Sequence, residues 1–166
     1  FEVSRGEKIA IVGENGIGKS TLLEKIVNGD ETGVTVTEGV KIGYYRQDFS
    51  NLDFEQTVHE CLSEVATEIT EQELRRKAAG FLLTSDIIKT QIKHLSEGQK
   101  GLVAFCRLML LEPGILILDE PTNHINFRHI PVIAKALDEF QGGMILVSHV
   151  DDFVWKIRID QYLDLS

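Results

Sequence analysis

An α/β fold with a mostly parallel sheet is the class this sequence predicts, and three observations predict it. The runs Lys8-Ile9-Ala10-Ile11-Val12, Ile115-Leu116-Ile117-Leu118 and Met144-Ile145-Leu146-Val147 read as short strands buried on both faces. Amphipathic helical stripes stand between them, the alternation of a layered domain with right-handed crossovers. A glycine-rich stretch, Gly13-Glu14-Asn15-Gly16-Ile17-Gly18-Lys19-Ser20-Thr21, links the first strand to the first helix. With 166 residues, 43% hydrophobic and 26% charged, the chain is long enough for one domain with a proper core.

Taken in order, Ser4-Arg5-Gly6-Glu7 is a turn feeding the first strand, and the chain starts abruptly, with no strand before it. After the glycine-rich stretch, Leu22, Leu23, Ile26 and Val27 form a helical stripe stopped by Gly29. Val34 to Thr37 and Val40 to Tyr45 alternate with polar residues across Glu38-Gly39, which predicts a β-hairpin. From about 52 to 94 the character changes. Val58, Cys61, Leu62 and Val65 form one stripe and Leu74, Ala78, Phe81 and Leu82 another, so a small helical subdomain is expected there, inserted between core segments 1–51 and 95–166. Ser96 and Gln99 fit a capping box that opens a helix through the apolar run Leu102 to Leu111, ended by Pro113-Gly114. Ile133, Ala136, Leu137 and Phe140 mark a further helix before Gly142-Gly143. A helix from about Asp151 and a strand near Gln161 to Leu165 close the chain.

The glycine-rich stretch carries the chemistry. Gly13, Gly18, Lys19 and Ser20 have the spacing of a phosphate-binding loop, whose backbone N–H groups cradle a nucleotide's phosphates, with Asn15, Gly16 and Thr21 completing the cradle. Lys19 supplies a point charge to the β- and γ-phosphates, and the Ser20 hydroxyl is a ligand for Mg²⁺. The following helix start adds unpaired N–H groups and partial positive charge. Ligands of open parallel sheets bind beyond the carboxyl ends of the strands. Gly13 to Ser20, Asp119-Glu120 and Ser148-His149 are therefore expected to converge. Asp119, directly after a strand, is placed to hold Mg²⁺, which needs few carboxylates. Glu120 is then available as general base toward water. His149 is a candidate to orient Glu120 or donate to the γ-phosphate, and Gln47 to reach the metal or the water.

Composition narrows the partners. A net charge of −9 argues against gripping a nucleic-acid backbone, which rests on clustered Lys and Arg. No apolar run approaches the roughly 20 residues of a membrane span, and the amino terminus lacks a charged-then-apolar leader, so a cytoplasmic location is expected. Cys61 and Cys106 lie far apart within helical patterns and read as buried free thiols.

Over nearly its whole length the chain resembles an ATP-binding cassette ATPase. The motifs that carry the resemblance are the phosphate loop, Gln47 after Gly43-Tyr44-Tyr45, Leu95-Ser96-Glu97-Gly98-Gln99, Ile115 to Thr122, and His149, in that order. The Leu-Ser-x-Gly-Gln signature separates this family from other phosphate-loop proteins, and Asp119-Glu120-Pro121-Thr122-Asn123-His124 is similar to the ABC-F branch, soluble twin-cassette ATPases acting on ribosomes. The resemblance implies that two cassettes close head to tail over two ATP molecules, so that Ser96, Gly98 and Gln99 serve ATP bound by a partner cassette, on the same chain or in a homodimer. About fifty residues separate Gln47 from Leu95, too few for the long helical arm usual in a first ABC-F cassette, so a second cassette is expected. Ribosome contact is expected through parts outside this segment, and the aromatic that stacks on adenine lies upstream of Phe1.

Some positions depart from the family pattern. Glu97 replaces a usual Gly, Asn126 an Asp, Leu102 an Arg and Val150-Asp151 an Asp-Arg pair, while Pro131 removes a backbone donor from its helix. Two other readings stand beside a hydrolysing ABC-F cassette: the ATPase subunit of a membrane transporter, coupled through the surface near Gln47, and an ATP-gated clamp with little hydrolysis, which Glu97 and Asn126 motivate.

Overall fold

The computed structural model describes residues 1–166 apart from 30–32, 46–47, 124 and 150 and the side chain of Asp152. Its strands are β1 (Lys8–Val12), β2 (Ile42–Tyr45), β3 (Ile115–Asp119), β4 (Gly143–Val147) and β5 (Gln161–Asp164). They form one sheet in the order β2-β3-β4-β1-β5, every pair parallel. The register sets Ile145 of β4 beside both Ile9 of β1 and Ile117 of β3. Between the strands run α1 (Lys19–Asn28), α2 (Val58–Ser63), α3 (Glu71–Gly80), α4 (Ser85–Ile88), α5 (Glu97–Leu110), α6 (Ile130–Glu139) and α7 (Asp151–Trp155).

Side-chain alternation along a strand sorts the apolar runs between two cores. Leu116, Leu118, Met144 and Leu146 point to the face covered by α5 and α6, while Ile11, Ile117, Ile145 and Val147 point to the face covered by α1 through Leu23. Both faces are thus occupied, which is why these strands are continuously apolar. Helix α1 ends as expected at Gly29, which has φ 69° and donates its N–H to the Lys25 carbonyl.

Helices α2 to α4 contribute Val58, Cys61, Leu62, Leu74, Ala78 and Ile88 to the apolar cluster that also holds Leu102 and Phe105 of α5. The ends of this segment are stitched together. Val58 donates to the Thr90 carbonyl, Ile92 to that of Gln56 and Lys93 to that of Phe54, around an antiparallel bridge between Thr57 and Gln91. Helix α3 is opened by a capping box between Thr70 and Glu73.

Three expectations need correction. The β-hairpin does not form among the described residues: Ile42–Tyr45 pairs in parallel with β3, and Val34 to Thr37 has no ladder. The Glu38-Gly39 turn is closed by the Val40 N–H on the Thr37 carbonyl, while the backbone groups of the second arm are spent on β3. Leu82 is not part of the buried stripe. Helix α3 stops at Gly80, Leu82 turns outward with φ 60° and 44% exposure, and Leu83 takes its place in the core. Pro131 interrupts no helical bond, since it falls in the first turn of α6, where an N–H has no intrahelical acceptor.

The two cysteines are free and buried. Burial pushes the Cys106 thiol up to about 12 and raises that of Cys61 as well. Since the thiolate is the reactive form, an aromatic disulfide reagent at mildly alkaline pH should leave both thiols intact in the folded protein and titrate both after unfolding in guanidinium; rapid labelling of the native protein would contradict this packing.

Candidate functional site

β3, β4 and β1 are neighbours in the sheet, so the three segments that leave their carboxyl ends emerge side by side. β1 and β3 are two strand spacings apart, about 10 Å. A cleft of about 480 Å³ opens there, lined by Asn15, Gly16, Gly18, Lys19, Ser20, Thr21, Asp119, Glu120, Asn123, Val147 and His149. The convergence expected from the sequence is therefore found in the fold.

The loop after β1 reaches this cleft through left-handed backbone. Gly16 has φ 82° and Gly18 φ 104°, and a Cβ on either would meet nothing within 4 Å. Backbone angle, not lack of space, is what asks for glycine here. Gly18 is the N-cap of α1 and supplies no side-chain cap, so the first-turn N–H groups are presented toward the cleft mouth. Lys19 is buried, and its Nζ donates to the carbonyls of Gly13 at 2.7 Å and Glu14 at 2.9 Å. Two of the three ammonium protons thus hold the loop closed on itself. Ser20 and Thr21 stand exposed on the first turn of α1.

On the opposite wall Asp119 ends β3 and is buried. Glu120 then leaves the strand with φ 47°, its N–H donating to the Val147 carbonyl of β4 at 2.8 Å. Beyond this left-handed step Glu120 lines the cleft beside Asp119 and Lys19. Glu120 Oε2 accepts the His149 backbone N–H at 3.3 Å. His149 Nε2 lies 3.0 Å from Oε1, within ion-pair range when the ring is protonated but off the line of a hydrogen bond. Burial raises the Glu120 carboxyl above its ordinary range, a shift that the His149 charge and backbone N–H oppose. The arrangement is a half-shielded carboxylate held by a histidine, facing the loop that carries Lys19.

The Ser20 hydroxyl and Asp119 carboxylate are hard oxygen donors lining one cleft. Among the described residues no group of three or more His, Cys, Asp or Glu could hold a metal. Such a sparse oxygen set fits Mg²⁺, which completes its shell with substrate phosphate and water.

Gln47 lies outside the described residues, as do His124 and Val150. The signature residues are described, and Ser96, Gly98 and Gln99 do not line the cleft. They form the start of α5, where the Ser96 hydroxyl accepts the Gln99 N–H at 3.2 Å and the Gln99 side chain accepts the Ser96 N–H at 3.0 Å, completing the expected capping box. Glu97 sits exposed in the first turn, a favourable position for a carboxylate. Asn126 caps the short 3-10 helix Phe127–His129, accepting the Arg128 N–H at 3.0 Å, and Leu102 is packed inside the main core. Asn123 is the lining residue that sequence reasoning left without a role. It enters through a turn in which its N–H donates to the Glu120 carbonyl, and the signal for it was an Asn in a Pro-Thr-Asn turn directly after a strand end.

Comparison with known proteins agrees with this geometry. Residues 1–123 match the family described as ABC transporter. The chain is 44% identical over 155 residues to "Probable ATP-binding protein YbiT" of Escherichia coli O157:H7, covering 90% of this chain and 29% of that protein. It is 40% identical over 158 residues to ATP-binding cassette sub-family F member 2 of Mus musculus, covering 90% of this chain and 24% of that one. Among solved structures, that of an ATP-binding subunit of an ABC transporter superposes with a TM-score of 0.71 at 27% identity, over 90% of this chain and 71% of its own. The chain thus spans under a third of the length of these two relatives. A phosphate loop facing an Asp-Glu strand end on a five-stranded parallel sheet, together with the family match over residues 1–123, shows that the chain belongs to the ATP-binding cassette family and is an ATPase domain of it.

Proposed function

We propose that this chain is one cassette, the second, of an ABC-F type twin-cassette ATPase that works in the cytoplasm on ribosomes. In this reading residues 1–166 form an ATP-binding domain with 52–94 as an inserted helical subdomain. The observation that carries the reading is the cleft itself: Lys19 and Ser20 on one wall, Asp119 and Glu120 on the other, with His149 on the Glu120 carboxylate. The ABC-F assignment is supported by relatives of 35–44% identity that include sub-family F members, and by the Asp119 to His124 wording. A solved bacterial ABC transporter cassette of the same fold is described as dimeric, and in this reading the partner here is a second cassette on the same chain or a second copy.

The chain's own residues divide the work. The backbone N–H groups of Gly16 to Thr21 hold the triphosphate, and Lys19 exchanges loop carbonyls for β- and γ-phosphate oxygens. Ser20 and Asp119 hold Mg²⁺, with Gln47 as a further ligand; the ion when bound neutralises charge on the phosphates. Glu120 accepts the proton of the attacking water, and His149 fixes the direction of its carboxylate. Ser96, Gly98 and Gln99 serve the ATP of the partner cassette, so the segment alone should hydrolyse slowly.

Three measurements on the full-length protein test this. Glu120→Gln should retain ATP, lower phosphate release by about 10²- to 10⁴-fold, the range for a lost general base, and hold the protein on ribosomes in co-sedimentation. Unchanged turnover removes Glu120 from the mechanism, whereas co-purification with an integral membrane protein in place of ribosomes favours the transporter reading. Lys19→Ala should weaken ATP binding about ten- to a hundredfold, the loss expected for charged hydrogen bonds, as read by titration with a fluorescent ATP analogue. Chelation of divalent ions should stop phosphate release and Mg²⁺ should restore it; turnover persisting in chelator would dismiss Ser20 and Asp119 as metal ligands.

A further inference from the structure

Helix α5 contains a glycine in its second turn that the chemistry above does not use. Gly101 is fully surrounded, although glycine is the poorest helix former after proline and α5 is otherwise a strongly apolar helix. A Cβ on Gly101 would lie 3.2 Å from Ile125 Cγ1, 3.5 Å from the Tyr45 hydroxyl and 3.6 Å from Ile125 Cδ1. The contact with Ile125 is tighter than side chains ordinarily tolerate, so the isoleucine rests directly on helix backbone.

The two neighbours come from separate parts of the site. Tyr45 is the last residue of β2, stacks on Phe105 of α5 with ring centroids 4.5 Å apart, and is 1% exposed. Its hydroxyl is buried against Gly101 with no hydrogen-bond partner among the described residues. Ile125 belongs to the segment that leaves Glu120. Two turn hydrogen bonds lie between them, the Asn123 N–H on the Glu120 carbonyl and the Ile125 N–H on that of Thr122. One turn earlier on α5, Gly98 faces the same segment: a Cβ there would lie 3.5 Å from the Asn126 nitrogen and 3.5 Å from His129 Nδ1. The segment 125–129 is therefore seated on the first two turns of the helix whose tip carries Ser96 and Gly98.

We propose that Gly101 is a positioning residue: by letting Ile125 and Tyr45 meet the α5 backbone, it makes the strand ends of this chain's own site fix the placement of the signature offered to a partner cassette. The inference rests on the paired-cassette reading and adds to it a specific joint. A side chain at 101 displaces Ile125 or tilts α5, and either moves Ser96 and Gly98 relative to the neighbouring nucleotide. The phosphate loop leads from β1 into α1, which packs through Leu23 on the face of the sheet opposite α5, and none of its residues is among the contacts of Gly101.

Turnover and binding on the full-length protein separate these possibilities. Gly101→Val, which does not lower helix propensity, should reduce kcat roughly ten- to a hundredfold, the cost of a small misplacement in a remote supporting element, with unchanged affinity for a fluorescent ATP analogue. Gly101→Val/Ile125→Ala, which gives the new side chain room, should recover most of that loss. The inference is overturned if Gly101→Val turns over at the wild-type rate, if analogue affinity falls in step with kcat, or if the double variant stays as slow as the single one. Should Gly101→Val fail to fold, Ile125→Ala alone decides, because it opens the same contact from the other side. It should lower kcat without weakening the analogue, and a wild-type kcat refutes the joint. If Ser96→Ala leaves turnover of the full-length protein at the wild-type rate, the paired-cassette reading falls and this inference with it. Where turnover depends on Ser96, a null result at Gly101 and Ile125 strikes the joint alone.

Discussion

The parallel pairing of β3 and β1 on either side of β4 is the constraint on which the site depends. Hydrogen bonds fix the register of all three strands, so the points where they end are set by backbone geometry and not by the loops that follow. Helix α1 on one face and α5 with α6 on the other bury these strands over most of their length, and the sheet cannot slip without exposing a whole row of isoleucine or leucine. A rigid platform of this kind lets the loop containing Lys19 and the step containing Glu120 be irregular while still facing each other.

One non-glycine left-handed step lies in the cleft itself, while those of Phe49, Leu82 and Glu112 lie elsewhere in the chain. Glu120 occupies left-handed backbone, which for a residue other than glycine costs about 1–3 kcal/mol and persists only when its surroundings enforce it. Here the enforcement is visible: its N–H is bound to β4, its carbonyl accepts from Asn123, and its carboxylate is approached by the backbone and ring of His149. Four separate groups agree on one direction for the side chain. Burial opposes the charged carboxylate while His149 favours it, and the net direction is upward.

Most of this was legible in the sequence because it is written in local patterns. Continuous apolar runs revealed the central strands, the Ser96 and Gln99 spacing revealed the start of α5, and the glycine spacing revealed the phosphate loop. What escaped was set by long-range pairing. Val34 to Tyr45 alternates like a hairpin, yet Ile42–Tyr45 is claimed by β3, some seventy residues later, and no local rule weighs that competition. Leu82 fits the helical stripe by spacing, but a helix ending at Gly80 transfers the buried position to Leu83. Pro131 looked disruptive only because the helix boundary was unknown. Gly101 gave no signal at all, since the two residues that crowd it come from β2 and from beyond β3.

The stitched ends of the helical segment bear on how such a domain can vary. Because Gln56, Thr57 and Val58 are tied to Thr90, Gln91 and Ile92, the chain leaves the sheet layers and returns to them through one narrow doorway. Changes of length in the turns between α2, α3 and α4 leave that doorway untouched, whereas changes on the face these helices lay against Leu102 and Phe105 are felt along α5.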